Sequence, residues 1–109
     1  MPEFSREKIQ RLLHALNDEL RRMKVLGELY LAGGAVMCLA FHARDSTRDV
    51  DADFEPSAQV REAALRVSER EGVPDTWLND AVKIYLSDHG SFDPYLELSH
   101  LRVFTADAR

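Results

Sequence analysis

The segment Asp49-Val-Asp-Ala-Asp-Phe54 alternates acidic and apolar residues without interruption. Because successive side chains of a strand point to opposite faces, this alternation predicts a strand from Asp49 to Phe54 with one apolar and one acidic face. Neighbouring aspartates would stand roughly 6.6 to 6.8 Å apart along the strand. On an exposed edge strand these charges would serve to resist aggregation, whereas in a cleft they would need a cation, an arginine or a proton. The strand alone leaves both interpretations open.

A pair of glycines closes a short apolar run upstream of this strand. Residues 28–32 predict a buried strand, and Gly33 and Gly34 separate it from residues 35–43, which predict a buried helix. Glycine lets the backbone approach a ligand closely, and the N–H groups at a helix start attract anions. Taken alone, the doublet is better explained as a tight elbow between strand and helix.

The other elements complete a small mixed sheet. We predict an α/β (α+β) fold with helices mainly on one face, in a single domain over residues 1–109. The chain stops directly after its last predicted strand, which suits a parent protein with further helices. The predicted elements are a helix from Ser5 to near Gly27, a helix capped by Ser57 and ending at Gly72, a helix from Asp75 or Thr76 to Leu86, a loop from Asp88 to Pro94, and strands Tyr95 to Leu98 and Leu101 to Thr105, which form either a closing hairpin or a pair of sheet strands.

The composition is that of a globular protein and disfavours several classes of function. Hydrophobic residues make up 45% and charged residues 30% of the chain, which argues against disorder. The formal net charge of -5 and the lack of a dense Lys/Arg run disfavour general DNA or RNA binding. No apolar run reaches the ~18 residues that cross a bilayer, and no export signal is visible. Cys38 is the single cysteine, so we expect a cytoplasmic protein, with its oligomeric state open.

Together, the glycine turn and the acidic strand have the chemistry of a phosphate site. The glycines would hold phosphates at the helix start, and a metal ion on Asp49 and Asp51 would neutralise their charge. Mg²⁺ suits this role because it prefers carboxylate oxygens, at about 2.0 to 2.1 Å, and completes its shell with water and substrate phosphates. The combination therefore predicts a site for a metal-bound nucleoside triphosphate.

These residues resemble the signature of the DNA polymerase beta-like nucleotidyltransferase superfamily, in which a Gly-Gly or Gly-Ser turn precedes an Asp-x-Asp strand. The resemblance is carried by Leu31-Ala-Gly-Gly-Ala and by Arg44-Asp-Ser-Thr-Arg-Asp-Val-Asp-Ala-Asp-Phe54, and it covers about residues 28–105. The Arg-x-x-Thr-x-Asp-Val-Asp spacing, with Trp77-Leu-Asn-Asp80 downstream, is most similar to a bacterial group of nucleotidyltransferase-like proteins related to abortive-infection toxins.

The resemblance implies a nucleotidyltransferase-like mixed-sheet fold, with Mg²⁺ and a nucleoside triphosphate bound. It also implies transfer of a nucleotidyl group to a hydroxyl on protein or RNA, in a toxin-antitoxin or phage-defence setting. The roles it implies are metal binding and catalysis for Asp49 and Asp51, phosphate contact for Gly33 and Gly34, and loop support or nucleotide contact for Arg44 and Thr47.

One part of the superfamily's pattern is missing from the sequence. Active members carry a third carboxylate on a later strand, close to the first two, and residues 101–105 contain none. Glu97 and Asp107 lie outside that segment, and Asp53 lies too far along its own strand. Three hypotheses stay open: an active nucleotidyltransferase, a catalytically inactive regulatory or antitoxin-like binding module with the same fold, and a purely structural α/β domain.

The remaining polar and aromatic residues are less informative. No two of the four histidines stand at the spacing of a metal site, and we interpret them as structural or solvated. His42 is the nearest of them to the charged segment from Arg44 to Arg48, which predicts a loop. Trp77 is interpreted as a packing residue. Asn79 and Asp80 are interpreted as capping or bridging residues, and the resemblance alone retains them as site candidates.

Overall fold

The structure, a computed structural model, describes residues 3–32, 34–39, 46–80 and 92–106. Within them the helices are α1 (Arg6–Met23), α2 (Gly34–Leu39) and α3 (Ser57–Glu71). The strands are β1 (Phe4–Ser5), β2 (Gly27–Ala32), β3 (Ser46–Thr47), β4 (Val50–Glu55), β5 (Leu78–Asn79), β6 (Phe92–Glu97) and β7 (Leu101–Ala106). Five strands form a sheet in the order β5-β4-β2-β7-β6, and β1 pairs with β3 apart from it. β2 runs parallel to β7 and antiparallel to β4, so the predicted mixed α+β fold is confirmed.

The first helix begins and ends where local chemistry dictates. The hydroxyl of Ser5 accepts a hydrogen bond from the backbone N–H of Lys8 at 3.1 Å, as an N-cap should. Lys24 takes the left-handed conformation, with φ of 61°, and its N–H bonds to the carbonyls of Leu20 and Arg21. The helix therefore ends before Gly27, earlier than the sequence predicted, and Gly27 instead begins β2. No helix among the described residues is long and apolar enough to cross a membrane.

One face of the sheet carries the hydrophobic core. The alternation predicted for residues 49–54 is present in β4, where Val50, Ala52 and Phe54 are buried. Register places Phe54 and Ala52 beside Leu29 and Leu31 of β2. Helices α1 and α3 contribute buried residues to this core. The buried helix residues of this hydrophobic core include Ile9, Leu12, Leu16, Leu20, Val60, Ala63 and Val67.

The opposite face carries polar and aromatic side chains in three rows. Because paired residues of neighbouring strands point to the same face, each row joins register partners across the sheet. We call this surface the acidic face. Its first row holds Asn79, Asp51 and Ala32, its second Asp53, Tyr30 and Phe104, and its third Glu55, Glu28, Arg102 and Glu97.

The helix predicted from Asp75 or Thr76 to Leu86 is wrong in its described part. Leu78–Asn79 is a strand that pairs with β4 in parallel, and residues 81–86 lie outside the described part of the chain. The buried indole of Trp77 donates a hydrogen bond to the carbonyl of Ala64 at 3.0 Å, and the Trp77 carbonyl accepts one from the N–H of Val50. These contacts with α3 and β4 extend the chain along the sheet edge.

Three further boundaries differ from the sequence prediction. The loop predicted up to Pro94 is wrong at its end, because β6 already begins at Phe92. Strand β6 tolerates Pro94 because it lies at the edge of the sheet, where one side of the strand needs no N–H partner. β4 begins at Val50, with Asp49 in a bend before it. Helix α3 begins at Ser57, but Pro56 takes the cap position and no side chain bonds there. The predicted hairpin of β6 and β7 is confirmed.

Candidate functional site

Asp51 and the end of the strand that precedes the glycines lie at the same end of the sheet. Asp51 is the register partner of Ala32, the last residue of β2. Neighbouring strands lie about 4.7 to 4.9 Å apart, so Asp51 stands beside the point where the chain enters the glycine doublet. Gly34 begins α2, whereas Gly33 lies outside the described residues.

Asp49 and Asp51 influence each other electrostatically. Burial raises the pKa of the Asp51 carboxyl, the negative charge of Asp49 raises it further, and a hydrogen bond from Asn79 acts in the opposite direction. Both residues are half-buried, so solvent screens their repulsion incompletely. A shared cation or a bound proton would reduce the repulsion between these two carboxylates.

Asn79 contacts Asp51, although the sequence pattern predicted only a capping or bridging role for it. Its side-chain amide donates a hydrogen bond to Oδ1 of Asp51 at 3.0 Å. The parallel pairing of β5 with β4 sets Asn79 directly opposite Asp51, so the contact follows from the backbone. The Trp-Leu-Asn-Asp motif was the available signal. Asp80, its last residue, instead forms an ion pair with Arg61 of α3.

Thr47 supports the segment that carries Asp49. Thr47 is buried, and its hydroxyl donates a hydrogen bond to the backbone carbonyl of Asp49 at 3.2 Å. Phe4 of β1 is the register partner of Thr47 and is itself buried. This geometry favours loop support over nucleotide contact for Thr47. Arg44, predicted to share that role, lies outside the described residues.

Among the residues that the structure describes, the other carboxylates considered from the sequence lie apart from Asp49 and Asp51. Glu97 belongs to the far row of the acidic face, and Asp53 stands one row from Asp51 as the partner of Tyr30. β7 is separated from β4 by β2, and Asp107 lies outside the described residues. Within the described ranges no group of three or more His, Cys, Asp or Glu side chains could hold a metal ion.

An aromatic cluster and a groove extend the acidic face away from the site. Tyr30 stacks on Phe104 with ring centroids 5.0 Å apart and meets Phe92 edge-on at 5.4 Å. The Tyr30 hydroxyl donates to Glu28 at 2.9 Å, and burial together with this carboxylate raises the pKa of Tyr30 to about 12. A groove of about 410 Å³ opens at the third row, at the opposite end of the sheet from Asp51.

Comparisons with known proteins add nothing to this geometry, because no family model, no curated protein and no solved structure matches the chain. The resemblance to nucleotidyltransferases therefore depends on the motif residues themselves. The candidate site consists of Asp49, Asp51, Asn79 and the end of β2 beside them.

Proposed function

We propose that the chain is a nucleotidyltransferase-like domain that binds a Mg²⁺-bound nucleoside triphosphate and transfers its nucleotidyl group to a hydroxyl. The observation that carries the proposal is the position of Asp51. It is half-buried beside the end of β2, within the electrostatic influence of Asp49, and held by Asn79. The chain thus brings an acidic pair to the strand end that leads into two glycines.

The donor chemistry of the pair fits a divalent cation. Asp49 and Asp51 supply carboxylate oxygens, which are the ligands that Mg²⁺ prefers, and their mutual repulsion gives a bound cation a favourable electrostatic term. When bound, Mg²⁺ would neutralise charge on the phosphates and orient them. Asn79 would hold Asp51 in one rotamer, while Thr47 would fix the backbone at Asp49.

The proposed reaction is a substitution at phosphorus. The oxygen of the acceptor hydroxyl forms a bond to the α-phosphorus, and the bond from that phosphorus to the oxygen bridging the β-phosphate breaks. Pyrophosphate leaves with the bonding electron pair, and the hydroxyl proton passes to water. The N–H groups at the start of α2 would contact phosphate oxygens, as the resemblance implies for the glycine doublet.

The setting that we propose is the bacterial cytoplasm, in a toxin-antitoxin or phage-defence system. Cys38, the single cysteine, is buried, so the fold needs no oxidising compartment. The defence setting follows from the resemblance to proteins related to abortive-infection toxins.

A labelling experiment tests the transfer. The folded chain, incubated with Mg²⁺ and α-³²P-labelled nucleoside triphosphates in a bacterial lysate, should label a macromolecule. Asp51→Asn should abolish labelling, because it removes a charged ligand. Asp93→Asn, the same change on the exposed edge strand β6, should keep it. If none of the four triphosphates labels a macromolecule, or if Asp51→Asn labels as well as the unmodified chain, the proposed transfer is wrong.

A second function has its own support in the structure. β7 pairs directly with β2 and carries no carboxylate in Leu101–Ala106, so this later strand offers no third ligand. A binding module that has lost catalysis would have this composition. It would bind its partner with unchanged affinity after Asp49→Ala and Asp51→Ala, whereas an enzyme would lose nucleotide binding with these substitutions.

A further inference from the structure

The acidic face has an imbalance of charge that extends well beyond the candidate site. Among the described strand residues of this face, one guanidinium, that of Arg102, stands among several carboxylates. Those carboxylates belong to Asp51, Asp53, Glu28, Glu55 and Glu97. A cation at Asp49 and Asp51 would neutralise the first row and leave the other rows negative.

Arg102 cancels little of this charge. Its guanidinium is 3.8 Å from Glu28 and 3.5 Å from Glu97, and its side chain is 58% exposed. Exposed ion pairs of this kind are weak and are screened by salt. Glu55 is exposed and forms no ion pair within the described part of the chain. The face therefore repels a phosphate backbone and attracts cationic side chains.

The groove at the third row adds apolar surface to these charges. Its walls include Leu26, Pro56 and Leu98 together with the carboxylates of Glu28 and Glu55. Leu26 is 72% exposed, so its side chain is available at the edge of this groove of about 410 Å³. Apolar contact combined with carboxylates suits an extended peptide that carries both lysine or arginine and aliphatic residues.

The groove and the candidate site lie at opposite ends of the same face of the sheet. From Asp51 to Glu55 the strand advances four residues, which corresponds to roughly 13 Å. About four residues of an extended polypeptide span the same length. A segment anchored in the groove can therefore reach the acidic pair along β4, where Asp53 is half-buried and Glu55 is exposed.

We propose that the acidic face and its groove dock a basic segment of a partner polypeptide, and that a serine, threonine or tyrosine hydroxyl of this segment is the acceptor. The identity of the acceptor rests on the proposed transfer, whereas docking does not. Charge decides between the two acceptor classes implied by the resemblance, because an RNA acceptor would bring its phosphates against the carboxylates of the second and third rows.

An NMR titration of the full ¹⁵N-labelled chain tests docking. The probe is a capped octapeptide of alternating leucine and lysine with one central serine; a matched peptide with glutamate for lysine is the control. The lysine peptide should shift the amide signals of Leu26, Glu55 and Leu98 and bind more weakly as salt rises. Glu55→Gln and Leu26→Ser should each weaken binding about three- to tenfold, whereas Glu69→Gln, on the exposed side of α3, should not.

Several outcomes would overturn docking. These are equal binding of the glutamate peptide, shifts confined to other surfaces, and binding of an octauridine RNA to the acidic face. Concentration-dependent sedimentation abolished by Leu26→Ser would also overturn it, because the groove would then join two copies of the chain. Calorimetry of Mg²⁺ and a nucleoside triphosphate on the unmodified chain separates the proposals: nucleotide binding without peptide docking refutes docking alone, and docking without nucleotide binding refutes the proposed transfer alone.

Discussion

The negative charge of the Asp51 carboxylate lowers the stability of the fold. Burial first, and Asp49 second, raise the pKa of its carboxyl above the ordinary 3.8, and the Asn79 hydrogen bond opposes them. A raised folded-state pKa means that the native chain holds this proton more tightly than the unfolded chain does. The stabilising contribution of the group is therefore complete below about pH 3.8 and is lost as the pH rises through the folded-state pKa.

We expect Asp51→Asn to stabilise the fold at neutral pH. The amide keeps the shape of the side chain and removes the repelled charge, so the free energy of unfolding should rise by roughly a few tenths of a kcal/mol, as for a screened charge contact. Near pH 3, where the carboxyl is protonated, the gain should vanish. Urea unfolding at both pH values measures the difference. A loss at neutral pH, or the same gain at both values, would contradict this account.

Tyr30 is expected to resist alkaline titration. Because its pKa is raised to about 12, it should stay protonated where an ordinary tyrosine, with a pKa of 10.0, ionises. Its contribution to stability is complete below about pH 10 and is lost as the pH rises through about 12. Tyr30→Phe should remove a transition near pH 12 from an ultraviolet absorbance titration. It should also cost about 1 kcal/mol through loss of the Glu28 hydrogen bond. An unchanged transition near pH 12 would contradict the assignment.

At the scale of elements, two serines that look alike in sequence differ in the structure. The Ser5 hydroxyl accepts the N–H of Lys8 at the start of α1, whereas Pro56 takes the cap position before Ser57. Ser5→Ala should therefore cost about 1 kcal/mol of stability, and Ser57→Ala should change it by less than about 0.5 kcal/mol. Thermal or urea unfolding of the two variants checks this pair. Equal losses would show that the cap of α1 does not contribute as described.

The sequence correctly predicted those elements whose hydrophobic spacing fits only one type of secondary structure. The strict alternation of β4 and the helical spacing of Ile9, Leu12, Leu16 and Leu20 each allow one structure. The segment after Thr76 was misread, because Leu78, Ala81 and Val82 also fit a helix. Tertiary contacts of Trp77 with α3 and β4 select the strand there, and no local pattern records them.

At the scale of the whole molecule, the strand order decides which residues meet. Asp51 was predicted from its own strand, but Asn79 reaches it from 28 residues away, through a parallel pairing that sequence does not reveal. In the same way, the pairing of β2 with β7 brings Phe104 against Tyr30. The acidic face is thus a product of topology, and composition alone could not have located it.

Isothermal titration calorimetry of the folded chain with α,β-methylene nucleoside triphosphates, with and without Mg²⁺, tests the central claim most directly. At least one analogue should bind with Mg²⁺ and should bind at least about tenfold more weakly without it or in Asp51→Asn, while Asp93→Asn should bind as the unmodified chain does. Absence of binding by all four analogues, or equal affinity of Asp51→Asn, would contradict a metal-bound nucleotide at the acidic pair.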